Sequence, residues 1–385
     1  MKNWQSTKYR NRSGWSYSSD SFRTTILEGG GHIAELTMLN TKNGDINPLW
    51  SVPWNSIEPQ DYDKYIGSGK YEDPPTGKAH ASIMGHNLCL DVYCTPSEAE
   101  QKIGLGHHGE APVVNWNKTD SGPNYLRVEA ALTKSNLTID RKISTREDSP
   151  VIQVIETVSN KNAFDYPTLH VQHPTIGPPF LDAKNTIVDI PSSQSIVFPD
   201  DFGAKHPLLK AGEHFKWPKA PLQNGDVFDL RYPLNPPPAA ALTMHLLSSE
   251  NPSWFTAINT KLGLGLVYLW NQIDFPWIVI WDEYYNFDYA PWNSKAHARG
   301  IEFGNTPFGG PKREIIDRGK IFNTPTYRWI DAKSSYQICF IAALFNVPVK
   351  TKGTKNCKMN KNNISVQLIE GTEIQIPAFE LKTNI

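Results

Sequence analysis

Between residues 125 and 158 the chain repeats one pattern that leaves little freedom of fold. Leu126, Val128, Ala130 and Leu132 alternate with Tyr125, Arg127, Glu129 and Ala131. An alternation of period two puts one set of side chains on a buried face and the other toward solvent, as a strand requires. Residues 136–143 repeat it through Leu137, Ile139 and Ile143, and residues 151–158 are apolar on both faces, the pattern of a covered central strand. Short strands at this spacing, punctuated by turns, predict a sandwich or barrel. Further strands are expected over 32–39, 84–93, 186–190, 195–198, 264–270, 277–281, 337–345, 364–370 and 372–376. One helix start is convincing. Thr95-Pro96-Ser97-Glu98 offers a threonine cap, proline at the first helical position and glutamate three residues after the cap. Gly104 and Gly106 keep that helix short.

The expectation is therefore an all-β chain, one large antiparallel β-sandwich spanning residues 1–385, with long loops and few short helices. Residues 1–27 read as an irregular polar extension anchored by Trp4, Trp15 and Tyr17. Residues 44–80 and 199–240, rich in proline and poor in periodicity, read as long loops. Loops of that length are often functional.

The 385 residues carry 38 basic and 39 acidic side chains. A balance this even excludes the basic stripe of a nucleic-acid binder and the polybasic run that anchors to an anionic membrane. No apolar window is long enough for a membrane helix, and the N-terminus lacks the apolar run of a signal peptide. Cys89, Cys94, Cys339 and Cys357 fit neither a zinc nor a disulfide spacing, and read as free thiols of a reducing compartment. That predicts a cytoplasmic protein, or a periplasmic one if a signal peptide has been removed. Exposed strand edges allow a monomer or a homodimer. The 12 Trp and 15 Tyr are many for a polar, neutral chain. Flat apolar faces with hydrogen-bonding edges suit sugars, and equally suit an aromatic core.

Three stretches could carry chemistry. In the first, Leu169, Val171 and His173 share one strand face, and Pro174 then stops regular pairing. This places His173 at the last paired residue, at the mouth of a stiff Pro/Gly loop, as an acid–base candidate or a satisfied core histidine. The second is Gly104-Leu-Gly-His107-His108-Gly109-Glu110, where glycines let backbone approach a ligand. A metal held by His107, His108 and Glu110 with His170 and His173 is disfavoured, because successive side chains point apart. In the third, Ile301 and Phe303 face the core and turn Glu302 to the opposite face. An aromatic run precedes it: Trp277, Trp281, Tyr284, Tyr285, Tyr289 and Trp292.

The order of these motifs resembles the galactose mutarotase-like superfamily of aldose 1-epimerases and their relatives. His108-Gly109 with Trp116 downstream, then His173, then Gly300-Ile301-Glu302 follow the family order, and Gly29-Gly-Gly-His-Ile-Ala-Glu-Leu36 resembles its first strands. The resemblance covers residues 28–345 and implies a large antiparallel β-sandwich. It implies Glu302 as general base at the anomeric hydroxyl, His173 as general acid at the ring oxygen and His108 as a hold on an oxygen near the anomeric centre, with no metal or organic cofactor. Candidate sugar contacts around them are His107, Glu110, Trp116, Trp281, Asp282, Arg299 and Trp54. The chain departs from the family in the length of its loops at 44–80 and 199–240 and in two motifs. Gln172-His173-Pro174-Thr175 replaces the usual Asn-His-x-Tyr-Phe-Asn context, and the Arg-rich strand of galactose-specific members has no counterpart. Arg299 or Lys78 are the basic residues that could meet an acidic substituent such as a uronate. The expected function is anomer interconversion of a free or oligomeric sugar. The alternatives are a glycan lyase or glycosidase on the same sandwich, or a non-catalytic carbohydrate binder.

Overall fold

The computed structural model describes residues 3–348 and 350–382. Two antiparallel sheets face each other. The larger has twelve strands. At its middle lie, in order, Ile33–Thr41, His86–Leu90, His170–Ile176, His297–Gly304, Trp277–Tyr284 and Ala239–Leu247. The eight-stranded partner centres on Leu264–Trp270, Ser335–Asn346, Val151–Asn160 and Leu137–Thr145. Between them the alternating apolar residues interdigitate, among them Leu126, Val128, Ile139 and Val154 from one sheet and Ile280, Ile301 and Phe303 from the other.

The two-faced apolar strand has a physical explanation. A third, three-stranded sheet of Thr354–Asn360, Asn363–Leu368 and Glu373–Pro377 packs its Val366, Leu368 and Ile376 against Val151, Val267, Leu269 and Ile341. The strand Val151–Asn160 thus has protein on both sides, with Ile152, Val154 and Val158 in the inter-sheet core and Val151 in the outer one.

Several expectations need correction. The stretch 5–27 is not irregular: Gln5–Tyr9, Arg12–Ser18 and Phe22–Leu27 are strands that extend the large sheet to one edge, while residues 1 and 2 lie outside the described residues. Their polar composition concealed an edge hairpin. Tyr9 pairs with Arg12 across Arg10 and Asn11, both at positive φ (49° and 69°), the mirror-image turn that matches strand twist. The loop 44–80 contains the short helices Pro59–Tyr65 and Gly77–Ser82, and 199–240 contains paired short strands around a small core of Leu209, Ala220, Leu230 and Leu234. The helix after Thr95 is Glu98–Lys102, and its cap is Ser97, whose side chain and Glu100 form a capping box. Thr95 and Ser97 each have a glutamate three residues on, Glu98 and Glu100, and the box forms at Ser97, so the helix starts two residues later than expected.

The strand bearing His173 does not end there. It runs His170–Ile176 through Pro174, which pairs with His86 on one side. On the other side Gln172 pairs with Phe303 and Thr175 with Gly300, and the ladder is interrupted between them. The missing proline N–H falls in that gap. It lets a proline sit in a central strand, where a full ladder would forbid it.

The opposite face of this strand holds a buried polar network. Glu156 accepts from Arg141 Nε at 2.6 Å, lies 2.9 Å from His170 Nε2 and accepts from Gln172 at 2.7 Å. Arg141 also donates to the Gly31 carbonyl and lies 4.5 Å over the Trp116 ring. Burial acts against the Glu156 anion, but Arg141 and His170 hold its pKa down at about 2. Removing one partner of a buried ion pair strands the other, at a cost of roughly 3–5 kcal/mol. Arg141→Ala is expected to lose about that much in urea unfolding; a loss below about 1 kcal/mol would mean the network does not hold the sheets together.

Candidate active site

Strand register brings the chemistry together. Since Gln172 faces Phe303 and Thr175 faces Gly300, His173 lies opposite Glu302 on the neighbouring strand. Side chains opposite each other across antiparallel strands share a face, with Cβ atoms about 5 Å apart. His173 Nε2 accordingly stands 3.2 Å from Glu302 Oε1. On the other imidazole nitrogen, Nδ1 is 3.0 Å from the hydroxyl of Thr175, two residues on and therefore on the same face. Glu302 Oε2 accepts the Tyr93 hydroxyl at 2.5 Å. Gly300 completes the floor: a Cβ there would stand 2.7 Å from Glu302 Oε1 and 3.2 Å from His173 Cε1. The glycine of Gly-Ile-Glu is thus demanded by space.

His108 arrives from the loop. Gly109 (φ +80°) rests on the Leu90 carbonyl, which a Cβ would meet at 2.2 Å, so the loop can cross the end of the strand His86–Leu90. His108 itself takes a left-handed φ of 65°. Its Nδ1 accepts the Cys94 backbone N–H at 3.2 Å, which in the neutral ring leaves the proton on Nε2. Its ring meets that of His173 edge to face at 5.3 Å and stacks on Tyr93 at 6.0 Å. His107 follows at 3.9 Å from His108, and His80 at 4.9 Å from His107.

These groups line a cavity of about 570 Å³. Its apolar walls come from Trp281, Trp292, Phe198, Phe308 and Leu242. The Trp292 indole N–H is buried without a hydrogen-bond partner. Burial dominates the electrostatics. It raises the Glu302 pKa to about 8, against the downward pull of the Tyr93 hydrogen bond, and lowers that of His173 to about 4. It also depresses His107 and His108, which lie beside each other and His173. Near neutrality the His173–Glu302 pair therefore carries one proton, and burial places it on the carboxyl.

The structure sorts the sequence candidates. His107, His108, His173, Trp281 and Glu302 converge on the cavity. Four others do not. Glu110 is buried, accepting the Lys134 and Ser135 backbone N–H groups at 2.9 and 3.1 Å, so it anchors a turn. Trp116 lies in the inter-sheet core, its N–H on the Ala111 carbonyl. Asp282 and Arg299 form a 2.9 Å ion pair on the inner face of the sheet, with Arg299 also bound to the Leu230 carbonyl. That face follows from period two: Arg299 and Ile301 point inward where Gly300 and Glu302 point outward. Trp54 stands behind the wall, 5.0 Å from Trp292, donating to the His80 carbonyl. His170, weighed as a metal ligand, faces Glu156 instead, and the described residues contain no cluster shaped to hold a metal. Lys78 does not line the cavity. Sequence reasoning missed Tyr93, Thr175, His80 and Glu72. Thr175 was available from its spacing to His173; nothing local marked the other three.

No family model and no curated protein matches the sequence. Solved structures do match. One, from Klebsiella pneumoniae, is a protein whose assignment as an aldose 1-epimerase is itself provisional. It has 13% identity and a TM-score of 0.61 over 89% of this chain and 82% of that one. A galactose mutarotase-like protein from Clostridium acetobutylicum gives 14% and 0.57 over 89% and 98%, and another from Lactobacillus casei gives 14% and 0.54 over 86% and 100%. The class is thereby defined: this is a β-sandwich protein of the galactose mutarotase-like fold. At such identities the likeness is one of fold, and the chain is a divergent bearer of it. Among the described residues no helix is long and apolar enough to cross a membrane.

The Tyr93 hydrogen bond favours the Glu302 anion, so its loss must push the carboxyl further up. In Tyr93→Phe the Glu302 titration, followed by carboxyl infrared or ¹³C NMR, is expected to move above its wild-type position near 8. An unchanged or lowered value would show that the hydroxyl does not bind the carboxylate.

Proposed function

We propose that this protein is a sugar-specific acid–base enzyme that opens and recloses the hemiacetal ring of a free aldose, interconverting its anomers. The observation that carries this reading is the His173–Glu302 pair, 3.2 Å apart at the floor of an aromatic cavity. Opening a hemiacetal removes one proton from the anomeric hydroxyl and delivers one to the ring oxygen. A pair holding a single proton has the inventory this needs, and closure exchanges the roles.

In the empty cavity the proton rests on Glu302. Sugar hydroxyls that donate to the carboxylate stabilise its charged form. One transfer across the 3.2 Å contact then gives carboxylate and imidazolium. Glu302 takes the anomeric proton, and His173 protonates the ring oxygen. Thr175 and Tyr93 hold the two groups, and His108, its Nε2 carrying the proton, offers a donor to an oxygen near the anomeric carbon. Rotation about the C1–C2 bond before closure inverts the anomer. The sugar's C–H faces have Trp281 and Trp292 to lie against. A cavity of about 570 Å³ suits a small sugar better than a polymer cleft. No step calls for a cofactor. The fold likeness to mutarotase-like proteins supports the same reading.

The test is anomer exchange by NMR on a panel of free aldoses. Wild type is expected to accelerate it for at least one sugar, with Glu302→Gln and His173→Asn each slowing it roughly 10²–10⁴-fold. No acceleration on any aldose would sink the proposal.

The pH profile follows from the proton count. Below the His173 value of about 4 the pair gains a second proton, and above the Glu302 value of about 8 it loses its only one. Because the two groups are coupled, these limits belong to the pair. Activity is expected to be level between about 4 and 8 and to fall on both sides; a midpoint near the ordinary histidine value of about 6.5 would refute a shared buried proton.

A further inference from the structure

The composition of the cavity extends the reading above to a class of substrate, and rests on it. Among the described residues that line it there is no lysine and no arginine. Its carboxyl groups number four: Glu302 at the floor, protonated when the cavity is empty, Glu72, which is hydrogen-bonded to the His80 imidazole, and Asp200 and Glu314, which line the cavity yet are exposed and so stand at its mouth. Nearby cations are engaged elsewhere. Lys312 pairs with Asp91, Lys205 with Asp288, and Arg318 lies 4.0 Å over the Phe308 ring without lining the cavity. Three of the lining histidines supply no positive charge near neutrality, since burial holds His107, His108 and His173 neutral.

We propose that this cavity sorts sugars by charge, taking neutral and amino-bearing aldoses and turning away phosphorylated and carboxylated ones. An anionic sugar would enter past Asp200 and Glu314 and lose its hydration with no cation to replace it. A narrow, low-dielectric cleft lined by one sign of charge focuses that field on whatever enters. An ammonium group meets the opposite situation: the mouth carboxylates attract it, and the rings of Trp281 and Trp292 in the wall are suited to a cation. The basic contact for a uronate that Arg299 or Lys78 was expected to supply is absent from this cavity.

The experiment compares one aldohexose in four forms: the parent, the 2-amino sugar, the 6-phosphate and the C6 carboxylate. Anomer exchange over the uncatalysed rate is measured by NMR at about 20 mM ionic strength, where the screening length is roughly 20 Å. The two anionic forms are expected to show kcat/KM at least tenfold below the parent, and the amino sugar to equal or exceed it. About 0.5 M salt, and the double substitution Asp200→Asn with Glu314→Gln, should each narrow the gap between parent and anionic forms by threefold or more. Anionic forms turned over as well as the parent, or a gap that neither salt nor the double variant moves, would overturn the charge reading. If no form is accelerated, ring opening itself fails. Saturation-transfer NMR with non-opening 1-deoxy analogues then decides the charge reading separately: binding of the neutral and amino analogues but not the anionic ones upholds it, and any other pattern overturns it.

Discussion

A carboxylic acid and an imidazole forced side by side out of water are the constraint around which this structure is arranged. Each group alone would be expensive to bury in its charged form, and each escapes by becoming neutral. Held 3.2 Å apart, they can also exchange a proton and become an ion pair when something polar arrives to stabilise it. The distance is set by strand register, not by loops. His173 and Glu302 lie on adjacent strands in the middle of a twelve-stranded sheet, where backbone pairing on either side leaves little room to drift. The one break in that pairing, at Pro174, falls beside the pair itself and frees local backbone without loosening the strands.

The strand His170–Ile176 is buried along its whole length and works on both faces. Outward it presents His173 and Thr175. Inward it presents His170 and Gln172 to Glu156, and through Glu156 to Arg141 on the opposing sheet. A polar network buried between two sheets is costly unless every member is satisfied, and when satisfied it allows few alternative arrangements. A slip of one residue would send His173 into the core and Gln172 into the cavity. The inner network thereby specifies the register that the outer pair needs.

The repetitive parts of this chain were legible because burial writes itself into sequence at period two. The strands at 125–132, 137–145 and 264–270 could be read from side-chain alternation or continuous apolarity alone. Glu302 could be turned away from the core because Ile301 and Phe303 flank it. The same rule would have turned Arg299 inward, had it been applied to a charged residue as it was to the apolar ones. Elsewhere the signal was not local. The N-terminal strands are polar because they lie toward a sheet edge, where pairing is secured by a two-residue turn and by neighbours distant in sequence. Pro174 was read as a terminator because a missing N–H ordinarily ends pairing; the interruption that excuses it is visible only once the neighbouring strand is in place. Tyr93 and Glu72 reach the cavity from loops, and His80 from the six-residue helix Gly77–Ser82, too short for any periodicity to announce its side-chain directions. Glu110 and Trp116 stand near His108 in sequence, but the left-handed turn at His108 and Gly109 carries them away from it.

The division between sheet and loops bears on how such a protein diverges. The acid–base pair, its glycine floor and the Thr175 support belong to two strands and are fixed by register. Most of what a sugar would touch beyond them comes from long connections: Trp292 follows one sheet strand, Phe198 and Asp200 open the excursion that runs to residue 240, and Glu314 sits on a short helix after another strand. Connections of this kind can be rebuilt without disturbing the core, so the walls can change charge and shape while the floor keeps its geometry. Identities of 10–14% with the fold preserved are what that arrangement permits. Under the proposed reading, ring chemistry is a property of the sheet and the choice of sugar is a property of the connections. Among the described residues, the connections here bring carboxylates and aromatic rings to the cavity but no lysine or arginine.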